Sequence, residues 1–153
     1  MMIVTTRLTR KKAVLGVLGL GALMALAIIL AAAHDAPEEG LPPLDSNEAR
    51  VEYLSSLGWE LNPEPLETLQ FLLPEKLEEP FLSYNELQDS QGFDLSTCCG
   101  KQVARYTYAV SNYPGRSDGV QLNLYICEEK AVAGDVFCPG ADGFQGPIVY
   151  PRS

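Results

Sequence analysis

Four cysteines, Cys98, Cys99, Cys127 and Cys138, are the residues whose types and spacing come closest to supporting chemistry. In an oxidising compartment they can form disulfides and in a reducing one they stay thiols, and the sequence leaves both states open. A four-cysteine zinc site is disfavoured, because there is no C-x2-C knuckle and adjacent cysteines point their thiols in different directions. We therefore predict no metal site.

The predicted strands decide which cysteines can meet. Alternating apolar residues in the second half of the chain predict three consecutive strands, of which the first two bring Cys127 close to Cys98 and Cys99. The turn into the third strand carries Cys138 away by about six residues, or roughly 20 Å. Because a disulfide needs Cα atoms within roughly 7 Å, we expect any single bridge to join Cys127 to Cys98 or Cys99.

Other catalytic constellations find little support in the sequence. The only histidine, His34, precedes the predicted folded domain, so it cannot complete a Ser-His-Asp or Cys-His arrangement there. Phosphate-binding loops, H-E-x-x-H and EF-hand spacings are absent from the sequence. Acidic pairs such as Glu78-Glu79 and Glu128-Glu129 fall in predicted turns or on polar faces, where solvation explains them. We predict no catalytic residue and no cofactor.

One face of the predicted sheet combines residue types that are common at binding interfaces. Arginine and tyrosine are enriched at such interfaces, and here they alternate with smaller polar residues along two neighbouring strands. We expect this open sheet face to be the candidate binding surface. It comprises Arg105, Thr107, Gln121, Asn123 and Tyr125.

The apolar periodicity predicts an α+β fold. A three-to-four-residue period indicates a helix over 46–57 and another within 75–90, whereas a two-residue period indicates strands. Clean alternation is typical of antiparallel sheets covered on one side. We therefore predict a small antiparallel sheet of about four strands with two helices on one face, in the order helix, strand, helix, strand, strand, strand. The strands should run up to Pro74 and over 101–110, 120–127 and 131–137.

These elements should share one hydrophobic core. The apolar residues of the strands fall at alternate positions and those of the helices at helical spacing, so each element offers one apolar side. We expect the shared core to contain Leu54, Leu57, Leu69, Phe71, Tyr84, Leu87, Tyr106, Tyr108, Leu122 and Leu124.

The N-terminal part predicts a membrane anchor. Residues 13–33 contain no polar side chain, and as a helix they would span about 32 Å, close to the roughly 30 Å hydrocarbon core of a bilayer. The basic residues of segment 1–12 favour a cytoplasmic N-terminus. Residues 34–45, rich in Pro, Gly and acids, predict a linker to an extracytoplasmic domain over 46–150. The alternative is a cleaved signal peptide ending near Ala33.

The charge distribution argues against nucleic-acid binding. Four of the 11 basic residues precede the apolar segment and all 20 acidic residues follow it, so seven basic residues face 20 acidic ones, a net of −13. Phosphate backbones are bound by clustered basic side chains, which this part of the chain lacks.

Four stretches of the chain, beginning at Val51, Asn62, Tyr84 and Gly100, together resemble the bacterial domain-of-unknown-function 4830 family. They occur in order across nearly all of residues 47–145. Proteins of this family commonly have a single N-terminal membrane segment followed by this domain. Cys98 and Cys99 depart from the family pattern, and the family carries no assigned activity, so the resemblance implies one folding unit and no site residues. The stretches are VEYLSSLGW (Val51 to Trp59), NPEP (Asn62 to Pro65), YNELQDSQGFDLS (Tyr84 to Ser96) and GKQVARYTYAVSNYP (Gly100 to Pro114).

Together these features predict a non-enzymatic interaction or sensing domain, held at the cell membrane by a single helix over 13–33 with its C-terminal domain outside. The expected partners are the lipid bilayer and an envelope protein or polymer. A small envelope hydrolase using paired carboxylates is the alternative, and a concave pocket with two converging carboxylates would distinguish it.

Overall fold

A computed structural model describes residues 42–151, so the predicted segments 1–12 and 13–33 and most of the predicted linker lie outside the described residues. Within 42–151, no helix combines the length and apolar character needed to cross a membrane. The elements of this part follow in the order α1 (Asn47–Ser56), β1 (Glu67–Leu72), α2 (Phe81–Asp89), a short 3-10 helix (Leu95–Cys98), β2 (Gln102–Ala109), β3 (Gln121–Cys127), β4 (Lys130–Cys138) and β5 (Phe144–Pro147).

Helix α1 lies where the sequence predicts it. The Ser46 side chain accepts a hydrogen bond from the Ala49 N–H at 3.1 Å, so the N-cap is Ser46. Gly58 follows the helix with a φ of +102°, a conformation that glycine adopts without strain and that stops the helix.

The five strands form an antiparallel meander in the order β1-β2-β3-β4-β5. The α+β class is confirmed, but the described sheet has five strands rather than about four. The additional strand, β5, is four residues long and contains Gly146 and Pro147, so it shows no usable alternation. Glu128 and Glu129 connect β3 to β4 at φ values of +49° and +64°, as in the two-residue turns whose twist matches the strands.

The prediction that both helices cover one face is wrong. We call the sheet side that carries Tyr108 and Leu122 the first face, and the side that carries Arg105 and Asn123 the second face. Leu54 of α1 belongs to the apolar cluster of the first face. Helix α2 packs on the second face, where the Phe81 ring lies 6.0 Å from that of Phe71 and the Tyr84 ring 5.4 Å from that of Tyr125.

Because the helices lie on opposite faces, the expected single core is two clusters. Leu54, Tyr108, Leu122 and Leu124 are buried on the first face, and Leu57 and Tyr106 pack against them. Phe71 and Tyr84 instead pack on the second cluster, which includes the buried Leu73, Leu95, Val103 and Cys127. Leu69 is 43% exposed, because it lies on the edge strand, and Leu87 is half-buried outside both clusters.

Two glutamines, Gln88 at the end of α2 and Gln91 just after it, bond the backbone at the edge of β4 beyond the end of β5. The Gly134 N–H donates to Gln88 Oε1 at 2.8 Å, and Gln91 Nε2 donates to the Gly134 carbonyl at 3.1 Å. The Ile148 N–H in turn donates to Gln91 Oε1 at 2.6 Å. These amides satisfy backbone groups that a longer β5 would otherwise pair.

Candidate functional site

The five residues predicted as a binding surface do lie together on the second face. In the β2–β3 register, Arg105 is opposite Tyr125 and Thr107 is opposite Asn123. Gln121 continues the same row towards the start of β3. The expectation of an open face is wrong, however, because Thr107 and Asn123 are 4% and 8% exposed and the other three are half-buried.

These polar side chains can be buried because they form hydrogen bonds with one another around Asp135 of β4. Asp135 itself is fully buried. The Tyr84 hydroxyl donates to Asp135 Oδ1 at 2.5 Å, and Gln145 Nε2 donates to Oδ2 at 3.2 Å. Asn123 Nδ2 lies 3.4 Å from both oxygens and passes the network to Thr107, whose hydroxyl donates to Asn123 Oδ1 at 2.7 Å. A buried carboxylate with several donors is a satisfied structural group.

Burial sets the protonation of this network. Desolvation raises the pKa of Asp135 above its ordinary value, although the hydrogen bonds from Tyr84, Gln145 and Asn123 oppose the shift. Burial, reinforced by the negative charge of Asp135, also raises the pKa of Tyr84, so its phenol stays a neutral donor. The partners of Asp135 are amides and a phenol, so the second carboxylate that a paired-carboxylate hydrolase requires is not among them.

The outer limit of the second face is an ion pair between Arg105 of β2 and Glu67 of β1. The two side chains are 26% and 58% exposed, so solvent reaches the pair and its contribution to stability is small. The pair neutralises the one charged side chain of β1. The candidate surface therefore leads directly onto the edge strand.

Strand β1 is the most exposed element of the sheet. Within residues 42–151 it pairs with β2 alone, and five of its six residues are exposed. Leu66 just before the strand and Leu69 and Leu72 within it are 56%, 43% and 62% exposed. Strands of this kind are usually shielded by lysine, proline or a bulge, because their free N–H and C=O groups attract other strands. Charged side chains in β1 are limited to Glu67.

Sequence reasoning missed this edge. The signal was available in the stretch ETLQFL, which alternates without a lysine or a proline, but the prediction placed its apolar residues in the core. Strand order, which determines that β1 is an edge, is a tertiary property. A shallow pocket of about 290 Å³ lies nearby, lined by Gln70, Gln102, Val103, Ala104, Ile126 and Glu128, and the single carboxylate in that set bonds Lys101 at 2.8 Å.

The cysteines fall into two places. Cys98 and Cys127 are buried in the cluster of the second face, and Cys99 is half-buried beside it. Burial and the neighbouring Cys98 thiol raise the pKa of Cys127 to about 12. Cys138 lies in the other cluster, where Arg116 Nη1 is 3.0 Å from its sulfur. All four are free thiols in the structure, and within residues 42–151 no group of three or more His, Cys, Asp or Glu could hold a metal ion.

Comparisons with protein-family models, with curated proteins and with solved structures find no match to this chain.

Proposed function

We propose that this protein is a non-enzymatic binding domain, anchored in the cell membrane by residues 13–33, which presents residues 46–150 outside the cytoplasm and binds its partner by strand addition at β1. In strand addition, an extended segment pairs with a free sheet edge and main-chain hydrogen bonds supply much of the affinity. The exposed edge of β1 is the single observation that carries this proposal.

The chemistry of the remaining surface supports a binding role over a catalytic one. Asp135, the centre of the polar network on the second face, is fully buried and bonded by donors of the domain itself. The β1 edge, in contrast, exposes peptide groups together with three leucines.

The anchor is part of the proposal and rests on the sequence pattern of residues 13–33 and their basic flank. The same pattern agrees with the resemblance to the domain-of-unknown-function 4830 family, which we also retain as a proposal. Cell fractionation tests the anchor. We expect the full chain in the membrane fraction, and a mature form in the medium that begins near His34 would show that the segment is a cleaved signal peptide.

Site-specific photocrosslinking tests the binding role. We would place benzoylphenylalanine at Gln70, in the middle of the β1 edge, and in a control chain at Glu52, an exposed position of α1. In intact cells, Gln70 should give a discrete crosslinked product and Glu52 should not. Equal products at both positions, or none at Gln70, would contradict a binding role for β1.

A further inference from the structure

We propose that the partner of β1 is β1 of a second copy of this chain, so that two five-stranded sheets join into one continuous antiparallel sheet. This inference rests on the proposed function and names its partner. The observations that carry it are the direction of the free peptide groups of β1, the residues that face one another when the strand pairs with itself, and the closed state of the opposite sheet edge.

The free peptide groups of β1 follow from its pairing with β2. Just after β1, the Leu73 N–H points towards β2 and donates to the Lys101 carbonyl at 2.9 Å. Inward and outward peptide groups alternate along an antiparallel strand. The N–H and C=O groups of Thr68, Gln70 and Leu72 therefore point away from β2 and are the groups that a second strand would bind.

Self-pairing has one register that uses all of these groups. In this register the two copies are related by a two-fold axis that passes at Gln70. Gln70 of one copy then pairs with Gln70 of the other, and Thr68 of each copy pairs with Leu72 of the other. If the axis moves to residue 69, Leu72 faces Leu66, whose N–H is already bonded to Thr107. If it moves to residue 71, Thr68 faces Pro74, which has no N–H to donate.

The same register brings compatible side chains together. Leu69 of each copy lies opposite Phe71 of the other on the second face, and such apolar cross-strand pairs stabilise sheets. No like charges face each other within the strand.

Charge also favours this edge as the contact between two copies. The chain is acidic, with a formal net charge of −9, so two copies repel over most of their surfaces. The acidic side chain of β1, Glu67, is neutralised within its own chain by Arg105. Within β1 itself, two copies can thus pair without placing uncompensated negative side chains opposite each other.

The assembly should stop at two copies. A two-fold contact uses the same patch on both copies and is closed by symmetry. The other sheet edge is unsuitable for growth, because β5 is short and ends at Pro147, and Gln88 and Gln91 already bind the backbone where β5 ends.

Copurification of two tagged forms of the full chain tests the proposal. Both forms are expressed in one cell, one is captured in mild detergent, and the other is detected by its own tag. The unmodified chains should copurify. Gln70→Pro removes the central outward N–H while leaving the bonds to β2, so it should reduce copurification at least tenfold, whereas Gln70→Thr should not.

A matched pair of double variants tests the register without relying on proline. Thr68→Lys combined with Leu72→Lys places like charges opposite each other at two points of the contact, and should abolish copurification. Thr68→Lys combined with Leu72→Glu places opposite charges at the same points, and should retain it. The two residues lie four apart along one strand, so the introduced charges meet only across the contact.

Three results would overturn self-pairing: unmodified chains that do not copurify, copurification that survives Gln70→Pro, or equal behaviour of the two double variants. Failure of self-pairing is distinguishable from failure of the binding function. If the photocrosslinked product at Gln70 has a mass other than that of two chains, β1 binds a different partner. If Gln70 gives no product at all, the binding function itself is contradicted.

Discussion

The Tyr84 hydroxyl of α2 donates a hydrogen bond of 2.5 Å to Asp135 of β4, and this contact fixes the helix to the second face of the sheet. Sequence periodicity assigns the two residues to separate elements but does not predict that they are in contact. Once they meet, the polar row formed by Thr107 and Asn123 becomes the buried side of a network. The exposed surface that can bind a partner is therefore the edge strand, β1, and not the polar row of the second face.

The titration of Asp135 makes a prediction about stability and pH. Its pKa in the folded chain is raised by burial above the value in the unfolded chain, which is about 3.9. The stability contributed by this group is therefore full below the unfolded pKa and is lost as pH rises through the folded pKa. The Asp135→Asn side chain cannot titrate. The free energy of unfolding of this variant, minus that of the unmodified chain, should therefore increase as pH rises.

Urea unfolding at several values from about pH 4 to about pH 8 would measure this difference. Asp118→Asn, which changes an exposed carboxylate, serves as the control for the loss of one negative charge. A difference for Asp135→Asn that does not change with pH would show that the carboxylate is not desolvated in the folded chain.

The core of the first face predicts a large cost for Leu122→Ala. Leu122 is fully buried among the residues of that cluster, so truncation should lower the free energy of unfolding by about 2–5 kcal/mol. Leu72→Ala is the matched control, because Leu72 is 62% exposed and should change stability by about 0.5 kcal/mol or less. A similar thermal midpoint for the two variants would refute the assigned faces of β3 and β1.

A steric prediction concerns Gly134 of β4. A Cβ at this position would overlap Ile148 Cδ1 and lie 3.3 Å from the Asn123 carbonyl oxygen. Gly134→Ala should therefore destabilise the domain by about 1–3 kcal/mol through overpacking. In β5, a Cβ at Gly146 would meet only Val136 at 4.0 Å, so Gly146→Ala should be tolerated. Equal unfolding midpoints would indicate that Ile148 packs elsewhere.

The cysteines should differ in reactivity. Because the pKa of the Cys127 thiol is raised to about 12, iodoacetamide at about pH 8 should modify the half-buried Cys99 first and Cys127 only after unfolding. If a mild oxidant forms one bridge, peptide mapping should find it between Cys127 and Cys98 or Cys99. A link from Cys138 to either would contradict the placement of Cys138 in the other cluster.

Local features of the fold could be predicted from sequence because they depend on local periodicity and turns. The alternation of Tyr106 and Tyr108 and of Leu122 and Leu124 indicates two strands, and Gly58 marks a helix end. The distribution of the helices over the two faces could not be predicted. An apolar stripe indicates that a helix packs against the sheet, but not against which face.

The candidate site was predictable only in part, for a related reason. Alternation correctly placed Arg105, Thr107, Asn123 and Tyr125 in one row, but a polar row has the same pattern whether it faces water or a buried hydrogen-bond network. Asp135, the centre of that network, was not singled out, because a single aspartate in an apolar strand gains meaning only from partners distant in sequence.

Amide hydrogen exchange in the full chain tests the central claim, partner binding through the edge of β1, most directly. In dilute chains the N–H groups of Thr68, Gln70 and Leu72 should exchange rapidly while those of Leu69 and Phe71, which point to β2, are protected. As chain concentration rises and copies pair, the three outward amides should become protected together, and Gln70→Pro should abolish that change at Thr68 and Leu72. Rapid exchange of the outward amides at every concentration, both in purified samples and in cell membranes, would contradict the claim.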